Sequence, residues 1–361
     1  MFNKFRSLSK ISMNVALVSM TLLLGACGAN NSGVNSGAEK SIPDVKETTT
    51  VIAKAEEKIE TINFAYMPNM GGATPVAIGE AKGFFQDEGI KLNAVKFLSG
   101  PPEFQAMAAG DIDIAYIGPG ATFLAAKGQG NIIGLVSLGK SDMVFATKKS
   151  GIKEWKDLKG KTVGVPKGTS GEMVLNLGLE KAGLNPNDVN IVNMEVAGAV
   201  TAYIAGKVDA VAIWSPFTVE IEKQVGKDNM VKLGDNSDFY PEYSFPSSWV
   251  VSPKFLKEKP ELVEKFMKAI TKTTEYKINN IEEAVKLTAA YTGVPEDSLT
   301  EELKSIDWID NTKLVEVFLD GSAVKWYDNL QKQFVKNGKL ESAVPSGNFL
   351  TIEPAIKSIN K

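Results

Sequence analysis

Glycine and hydroxyl residues at positions 168–171 form the stretch best suited to binding chemistry. Gly168-Thr169-Ser170-Gly171 lies between a predicted strand and a predicted helix. The start of a helix offers unpaired backbone N–H groups and the positive end of the helix dipole, which suit a sulfonate, a carboxylate or nitrate. Thr169 and Glu172 also have the spacing of a capping box, in which side chains satisfy those N–H groups internally. Thr169 and Ser170 are therefore candidate ligand contacts, with helix capping as the alternative.

Three turns in the first part of the sequence are further candidates. Each follows a predicted strand, and each is rich in Gly and Pro, so ordinary turn chemistry is the alternative for all three. Their candidate contact residues are Asn69, Met70, Gly71, Gly100, Pro101, Gly118 and Pro119.

Aromatic residues stand at the ends of two predicted buried strands. Trp214 ends one of these strands, and Tyr116 lies slightly deeper in the other. Core packing is the usual role of an aromatic residue at such a position. Both are nevertheless candidate ligand contacts, because each lies where its strand meets the expected site.

These residues are positioned by one sequence unit that occurs twice, at 109–119 and at 205–216. A short apolar helix precedes each copy, a Gly suits its left-handed C-cap, and an almost unbroken apolar run predicts a buried strand. Two copies predict two similar α/β lobes. Because ligands of open α/β sheets bind beyond the carboxyl ends of the strands, both strand ends are expected to face one cleft. Asp113 and Asp209 begin the apolar runs, at the opposite end, and are predicted to be structural.

The order of the remaining elements predicts a chain that begins in one lobe, passes through the second and returns. We expect lobe I at residues 60–146, lobe II at 147–246, and the return with a helical second part of lobe I at 247–361. Met143–Thr147 and Ser248–Val251 are the expected hinge strands. Aromatic residues near the return are predicted to pack the hinge, with stacking on a flat or cationic ligand as the alternative: Tyr240, Tyr243, Phe245 and Trp249.

The composition excludes several kinds of chemistry. The chain has 361 residues and a formal net charge of −3, with no His, one Cys (Cys27) and one Arg (Arg6). Ser–His–Asp and Cys–His catalysis and His/Cys zinc sites are therefore excluded, and an anion must be bound without an Arg side chain. The sequence has no basic patch with interleaved aromatic residues, so nucleic acid is not an expected partner. No cofactor and no metal are expected.

The first 59 residues are predicted to direct the protein to its location. Lys4, Arg6 and Lys10 precede an apolar stretch that is too short to span a bilayer, which predicts a signal peptide at residues 1–26. Leu24-Gly25-Ala26-Cys27 resembles the lipobox of bacterial lipoproteins, in which the Cys is diacylated and becomes the mature N-terminus. A lone buried Cys is the alternative. Residues 27–59, rich in small polar and charged residues, are predicted to form a disordered tether.

Five short motifs together are typical of one family. They are Gly79-Glu80-Ala81-Lys82-Gly83-Phe84-Phe85 with Glu88-Gly89, Ala109-Gly110-Asp111-Ile112-Asp113, Lys159-Gly160-Lys161-Thr162-Val163-Gly164-Val165, Gly168-Thr169-Ser170, and Gly206-Lys207-Val208-Asp209-Ala210 with Trp214 and Pro216. With these motifs the chain resembles the solute-binding proteins of ABC importers with the type II periplasmic-binding-protein fold. More narrowly, it resembles the nitrate, taurine and aliphatic-sulfonate group, to which thiamine-pyrimidine binders are related.

The resemblance implies a fold class and adds to the site. The implied fold is α/β and two-lobed, with a ligand cleft between the lobes and two hinge strands. In the family the position of Trp214 faces the ligand. The sequence departs from the group at Val196-Ala197-Gly198-Ala199, where Pro-x-Asp-Ala is frequent. A polar group that could contact ligand is lost there, and Gly198 is the candidate contact at that place.

The resemblance also implies a role. It implies an extracytoplasmic lipoprotein, anchored to the membrane, that captures a small solute by cleft closure and delivers it to an ABC permease. An organosulfonate such as taurine or an alkanesulfonate is the expected ligand. An aromatic or pyrimidine solute of the thiamine-precursor type, and nitrate, are the alternatives. An enzyme on the same fold is disfavoured because related pyrimidine-synthesis enzymes rely on His, and a surface adhesion protein or scaffold with an unused cleft is the remaining alternative.

Overall fold

Two β-sheets organise residues 59–359, the part of the chain that this computed structural model describes. Their strands are β1 (Glu60–Tyr66), β2 (Ile90–Lys96), β3 (Ile114–Ile117), β4 (Asn131–Gly139), β5 (Met143–Thr147), β6 (Thr162–Val165), β7 (Asn190–Asn193), β8 (Ala210–Ile213), β9 (Met230–Asp235), β10 (Pro246–Val251) and β11 (Ile306–Trp308). The first sheet has the strand order β11-β4-β10-β3-β1-β2, and the second has the order β7-β6-β8-β5-β9.

Helices connect and cover both sheets. Those of the described residues are α1 (Thr74–Lys82), α2 (Phe84–Asp87), α3 (Gly100–Ala109), α4 (Thr122–Ala126), α5 (Ser170–Lys181), α6 (Val196–Ile204), α7 (Phe217–Val225), α8 (Pro253–Glu258), α9 (Pro260–Asn279), α10 (Ile281–Thr292), α11 (Glu296–Leu303), α12 (Asn311–Leu319), α13 (Ser322–Lys336) and α14 (Glu353–Ile359). We call the first sheet with its helices lobe I and the second sheet with its helices lobe II. The helices from α8 onward follow the return to the first sheet, as the sequence predicts for the helical last part of the chain.

The core of lobe I surrounds the strands that are buried on both faces. Every residue of β3 and β10 is buried, as expected for central strands with helices on both sides. Trp249 of β10 is 2% exposed, and its ring centroid lies 5.8 Å from that of Phe64 and 6.3 Å from that of Phe266. The predicted packing role of Trp249 is therefore the one that the structure shows.

The sequence unit that occurs twice forms the same structure in both lobes. Helix α3 ends at Gly110 and α6 is followed by Gly206, both with positive φ, and the buried strands β3 and β8 follow. Asp113 Oδ2 accepts the Asn63 N–H at 2.9 Å, and Asp209 Oδ2 accepts the Thr162 N–H at 2.8 Å. Each Asp thus joins its strand to a parallel neighbour, at the strand end away from the cleft, so both have the predicted structural role.

The two connections between the sheets correct the predicted hinge. Met143–Thr147 lies wholly in the second sheet, where β5 pairs with β8 and β9, and β10 lies wholly in the first. The chain crosses instead through irregular segments, residues 140–142 and 236–245, so the first crossing precedes the predicted boundary after residue 146. Backbone and side-chain hydrogen bonds join these segments: the Asn236 N–H donates to the Asp142 carbonyl at 3.1 Å, the Asp142 N–H donates to Asn236 Oδ1 at 2.9 Å, and Asn236 Nδ2 donates to Asp142 Oδ2 at 2.6 Å.

The predictions for the N-terminal segment fall outside the described residues. The signal peptide at 1–26, the lipidated Cys27 and the tether at 27–59, apart from Ile59, lie before the first described residue. Among the helices of residues 59–359, none is long and apolar enough to cross a membrane.

Candidate functional site

A cleft of about 610 Å³, partly open to solvent, lies between the lobes. Lobe I contributes the turns after β1 and β3, the start of α3, the facing parts of β4 and β10, and residues of α11 and β11. Lobe II contributes the start of α5 and the end of β8. The lining residues are Met67, Asn69, Ser99, Gly100, Tyr116, Gly118, Pro119, Gly120, Ala121, Ser137, Gly139, Ser141, Asp142, Gly168, Thr169, Ser170, Trp214, Ser215, Ser247, Glu302 and Ile306.

The cleft brings together most of the residues that the sequence analysis selected. Those in its lining are Asn69, Gly100, Tyr116, Gly118, Pro119, Thr169, Ser170 and Trp214. They come from both lobes and from positions up to 145 residues apart, so the structure assembles in one place what the sequence presents as separate turns.

Four selected residues are not in the lining. Met70 is fully buried among Val285 and Leu299, and Gly71 packs under the Tyr116 ring, where a Cβ atom would lie less than 3.0 Å from the phenol oxygen. Pro101 faces Gly168 of the other lobe, just beside the cleft. Gly198 is exposed on α6, and a Cβ atom built there meets no atom within 4 Å. The residue that replaces the polar group of the family therefore lies on the surface.

The start of α5 differs from the predicted capping box. Thr169 Oγ1 donates to the Pro166 carbonyl at 2.6 Å and does not cap the helix, while Glu172 Oε2 accepts the Gly168 N–H at 2.6 Å. Lys339 Nζ lies 3.0 Å from the same carboxylate. Since no side chain caps the helix, the first-turn amides of Ser170 and Gly171, which have no partner within the helix, are not satisfied by the predicted capping box. The start of α5 remains suited to a polar or negatively charged group.

Asp142 links this helix to both crossings. Its carboxylate accepts hydrogen bonds from Ser170 Oγ and from Asn236 Nδ2, and it is 4% exposed. Burial raises the pKa of Asp142 to about 6, although its hydrogen bonds oppose the increase. The Ser170 hydroxyl is therefore already used by Asp142, so Ser170 can contact a ligand chiefly through its backbone.

Tyr116 forms one wall of the cleft. Its ring packs edge-to-face on Trp249, with centroids 5.6 Å apart, and its hydroxyl hydrogen-bonds to Ser247. Burial raises the pKa of Tyr116 above its ordinary value, so the phenol stays protonated. Opposite, Trp214 ends β8 and is 8% exposed. The two rings give the cleft an aromatic character.

Glu302 of α11 also lines the cleft. It is 3% exposed, and its two oxygens lie 3.2 and 3.1 Å from the Met70 N–H. With Asp142 it gives the lining two carboxyl groups, and no Lys or Arg is among the lining residues. The charged groups of the cleft wall are thus acidic. Among residues 59–359, no cluster of acidic residues is arranged to hold a metal ion.

The two lobes touch around the cleft. The backbone of Gly120 packs on that of Thr169 and Ser170, because a Cβ atom at Gly120 would lie well inside 3.0 Å of three backbone atoms there. On one side Lys223 of α7 pairs with Asp297 of α11 at 2.8 Å. On the other, Lys336 lies 2.5 Å from Glu180. The structure is therefore a closed arrangement of the lobes.

Sequence reasoning missed several polar residues of the lining: Ser99, Ser137, Ser141, Asp142, Ser215, Ser247 and Glu302. Asp142 and Ser247 each directly precede a predicted hinge strand. This position beside a crossing between the lobes is the feature of the sequence that could have marked them as cleft residues. Glu302 lies in an amphipathic helix next to the exposed Glu301. No local pattern marks which of these two carboxylates faces inward.

Comparison with known proteins identifies the family. Residues 71–284 match the family model described as NMT1/THI5 like. A protein of Brucella abortus named as a binding protein is 36% identical over 288 residues, which cover 80% of this chain and 89% of that protein.

The chain belongs to the NMT1/THI5-like family.

Other similarities agree with this family. A protein of Bacillus subtilis named as aliphatic sulfonates-binding is 29% identical over 76% of each chain. The alkanesulfonate-binding protein SsuA from Xanthomonas axonopodis pv. citri, solved with MOPS bound, superposes with a TM-score of 0.67 at 20% identity, covering 82% of this chain and 99% of that one. The predicted periplasmic-binding-protein fold is confirmed, as is the resemblance to the sulfonate and taurine group.

Proposed function

We propose that the chain is the extracytoplasmic solute-binding component of an ABC importer, which closes its two lobes over a small organic solute and presents it to a permease. The observation that carries the proposal is the cleft itself. It is built at the strand ends of two sheets and lined by residues of both lobes, which is where ligands of such sheets bind. The names of family members as binding proteins support the same role.

The composition of the cleft favours a planar solute that carries nitrogen. Tyr116 and Trp214 offer ring faces and edges, and Asp142 and Glu302 offer carboxyl groups to N–H donors. A simple anion would have to approach two buried carboxyl groups without a basic side chain in the wall. An amino-substituted pyrimidine or a related heterocycle matches these groups best, so this solute class is the first candidate.

An organosulfonate is the second candidate. The open first-turn amides of α5 suit a sulfonate, and the Bacillus subtilis relative is named for aliphatic sulfonates. Taurine fits better than a simple alkanesulfonate, because its ammonium group can face the carboxyl groups of the wall. Nitrate has no N–H or ammonium group to face the carboxyl groups of the wall, so it ranks third.

The remaining parts of the role rest on the sequence. Lipidation of Cys27 would hold the protein at the outer side of the cell membrane, near its permease. Binding and release need no covalent chemistry, and a chain with no His lacks the residue on which related enzymes rely. We therefore propose transport and not catalysis.

Thermal unfolding with candidate solutes tests this proposal. The chain without its first 27 residues is stripped of bound ligand and heated in phosphate buffer with a 4-aminopyrimidine, taurine, an alkanesulfonate or nitrate. Sulfonic-acid buffers are avoided because they would occupy the same site. A ligand at 100 times its Kd adds about 2.7 kcal/mol of stability. Stabilisation by the aminopyrimidine alone supports the first candidate, stabilisation by sulfonates alone the second, and stabilisation by none of the four contradicts both.

Replacing Trp214 by Ala is expected to weaken binding of the stabilising solute by about tenfold or more. An aromatic face that stacks on a heterocycle contributes about 1–3 kcal/mol. The Kd is measured by isothermal titration calorimetry. Trp326→Ala, at a half-buried Trp of α13 outside the cleft, is the matched control and should keep the parent Kd. Equal Kd values for the parent and Trp214→Ala would remove Trp214 from the site.

A further inference from the structure

Glu302 is the most deeply buried charged residue in the cleft wall. It lies near the end of α11, far in sequence from the strand ends that form most of the site. Its only hydrogen-bond donor within the described residues is the Met70 N–H, which lies within 3.2 Å of both oxygens. One backbone N–H leaves acceptor positions of this carboxyl group unused, and the group borders the cleft.

Lys277 is buried in the same part of lobe I, over the ring of Trp308, which packs against the apolar cluster of Met70 and Leu299. It belongs to α9, is 2% exposed, and its Nζ atom lies 3.4 Å from the centre of the Trp308 ring. Lys277 and Glu302 do not form an ion pair within 4 Å among the described residues. The positive charge of Lys277 nevertheless lowers the pKa of Glu302, and the negative charge of Glu302 raises the pKa of Lys277. Burial has the largest effect on the pKa of Glu302, and a positive charge on Lys277 opposes it by favouring the carboxylate, because a second buried charge is less costly when the first one balances it.

The other elements packed around Glu302 bring few charges. The turn after β1 contributes Asn69 and Met70, and the adjoining faces of α10 and α11 contribute apolar residues such as Val285 and Leu299. Across the cleft the titratable groups are the phenol of Tyr116 and the carboxyl group of Asp142. Asp307 of β11 is exposed and pairs with Lys140. Among residues 59–359, Lys277 is therefore the basic group that acts on the pKa of Glu302.

We propose that Glu302 is the specificity-determining carboxyl group of the cleft, which accepts a hydrogen bond from a nitrogen of the solute, and that the nearby buried Lys277 is a positioning residue whose positive charge favours the carboxylate form of Glu302. This inference rests on the proposed binding function and deepens it. It requires the solute to present an N–H or ammonium group to Glu302. It disfavours solutes that carry oxyanions alone.

Binding of a cationic solute is then linked to proton release. Burial raises the pKa of Glu302 to about 8 and lowers the pKa of Lys277 to about 7. Near pH 7.5 the empty cleft thus holds a largely protonated Glu302. When an ammonium group or protonated ring nitrogen binds, it stabilises the carboxylate, and the proton of the Glu302 O–H group passes to solvent. When a solute that only accepts hydrogen bonds is bound, Glu302 keeps this proton.

Calorimetric titration of Glu302→Gln tests the proposal. Taurine and a 4-aminopyrimidine are titrated at pH 7.5 in phosphate and in Tris, whose ionisation enthalpies differ. We expect the parent to release part of a proton on binding taurine, and the variant to release none and to bind at least tenfold more weakly. Glu301→Gln is the matched control, because Glu301 is exposed beside Lys304. Parent-like Kd and proton release in Glu302→Gln would overturn the proposal.

A measurement without ligand separates this proposal from the proposed function. In protein labelled with 13C at the Glu side-chain carboxyl, the Glu302 resonance is assigned by its loss in Glu302→Gln. We expect it to titrate near pH 8, and titration below pH 6 would overturn the inference. If neither solute binds the parent but Glu302 titrates near pH 8, the proposed ligand classes fail while the buried, proton-holding Glu302 stands.

Replacing Lys277 by Met is expected to make the stability fall more steeply with rising pH between pH 7 and 8. The pKa of Glu302 is about 8 in the folded chain and 4.5 in the unfolded chain. Its contribution to stability is therefore fully present below pH 4.5 and is lost as pH rises toward 8. The lowered pKa of Lys277 acts in the opposite direction, since its contribution is lost as pH falls toward 7. Between pH 7 and 8 the two effects oppose each other, so the parent Tm should vary little there, whereas the Tm of Lys277→Met should fall as pH rises from 7 to 8. The Tm of a Lys277→Met/Glu302→Gln double variant should not fall with rising pH. If the Tm of Lys277→Met alone does not fall either, the role of Lys277 is contradicted.

Discussion

Replacing Gly120 by Ala is expected to weaken solute binding at least 100-fold while leaving each lobe folded. Gly120 lies in the turn after β3, and a Cβ atom there would lie under 3.0 Å from backbone atoms of Thr169 and Ser170 in lobe II. Backbone cannot rotate aside as a flexible side chain can. The lobes must therefore separate, and a hundredfold loss corresponds to about 2.7 kcal/mol of binding free energy.

The matched control for this variant lies two residues earlier. A Cβ atom at Gly118 has Ser170 Oγ as its near neighbour at 3.8 Å, which is an ordinary contact. Gly118→Ala should therefore retain closure and lose little affinity. The Kd is measured by calorimetry, and the Tm without ligand shows that both variants are folded. Parent-like affinity in Gly120→Ala would mean that solute binds without the closed arrangement of the lobes.

The fold could be predicted because its information is local and occurs twice. A Gly at a helix end, an Asp and an apolar run specify the C-cap, the strand start and the buried strand in both lobes, and the structure shows all three in each copy. Asp113 and Asp209 even accept equivalent backbone N–H groups. Such repeated units leave few alternatives for the topology.

The details of the site depend on contacts that no local pattern contains. Thr169 and Glu172 have the residue types and the spacing of a capping box. In the structure Glu172 instead accepts the Gly168 N–H and pairs with Lys339, which lies far along the chain. Asp142 likewise becomes a site residue only because Asn236 and Ser170 reach it. Sequence reasoning therefore selected turns that the structure brings together at the cleft, but not the partners that fix their side chains.

The hinge shows the same limit. Met143–Thr147 has the apolar composition of a strand, and it is one, but composition does not tell which sheet a strand joins. The crossings are the segments 140–142 and 236–245, and hydrogen bonds between Asp142 and Asn236 join them. A pair of residues separated by 94 positions carries this information, which is why it could not be read from either segment alone.

Replacing Trp249 by Ala is expected to destabilise the folded chain by about 3–5 kcal/mol, the usual cost of removing a fully buried aromatic side chain. Trp249 contacts the rings of Phe64, Phe266 and Tyr116, with centroid distances of 5.6–6.3 Å, and it does not line the cleft. The free energy of unfolding is measured by urea denaturation, with Trp326→Ala as the half-buried control, which should cost less.

This variant also decides between the two roles predicted for the aromatic group near the return. If Trp249 stacked on the solute, its loss would raise the Kd and leave the unfolding free energy unchanged. If Trp249 packs the core, its loss mainly lowers the unfolding free energy. Affinity then falls only indirectly, because the Tyr116 ring that packs on Trp249 is no longer held in place. Because the cavity left by an indole lies directly behind the cleft wall, we expect both quantities to change, with the change in stability the larger. An unchanged stability together with lost binding would transfer Trp249 to the ligand site.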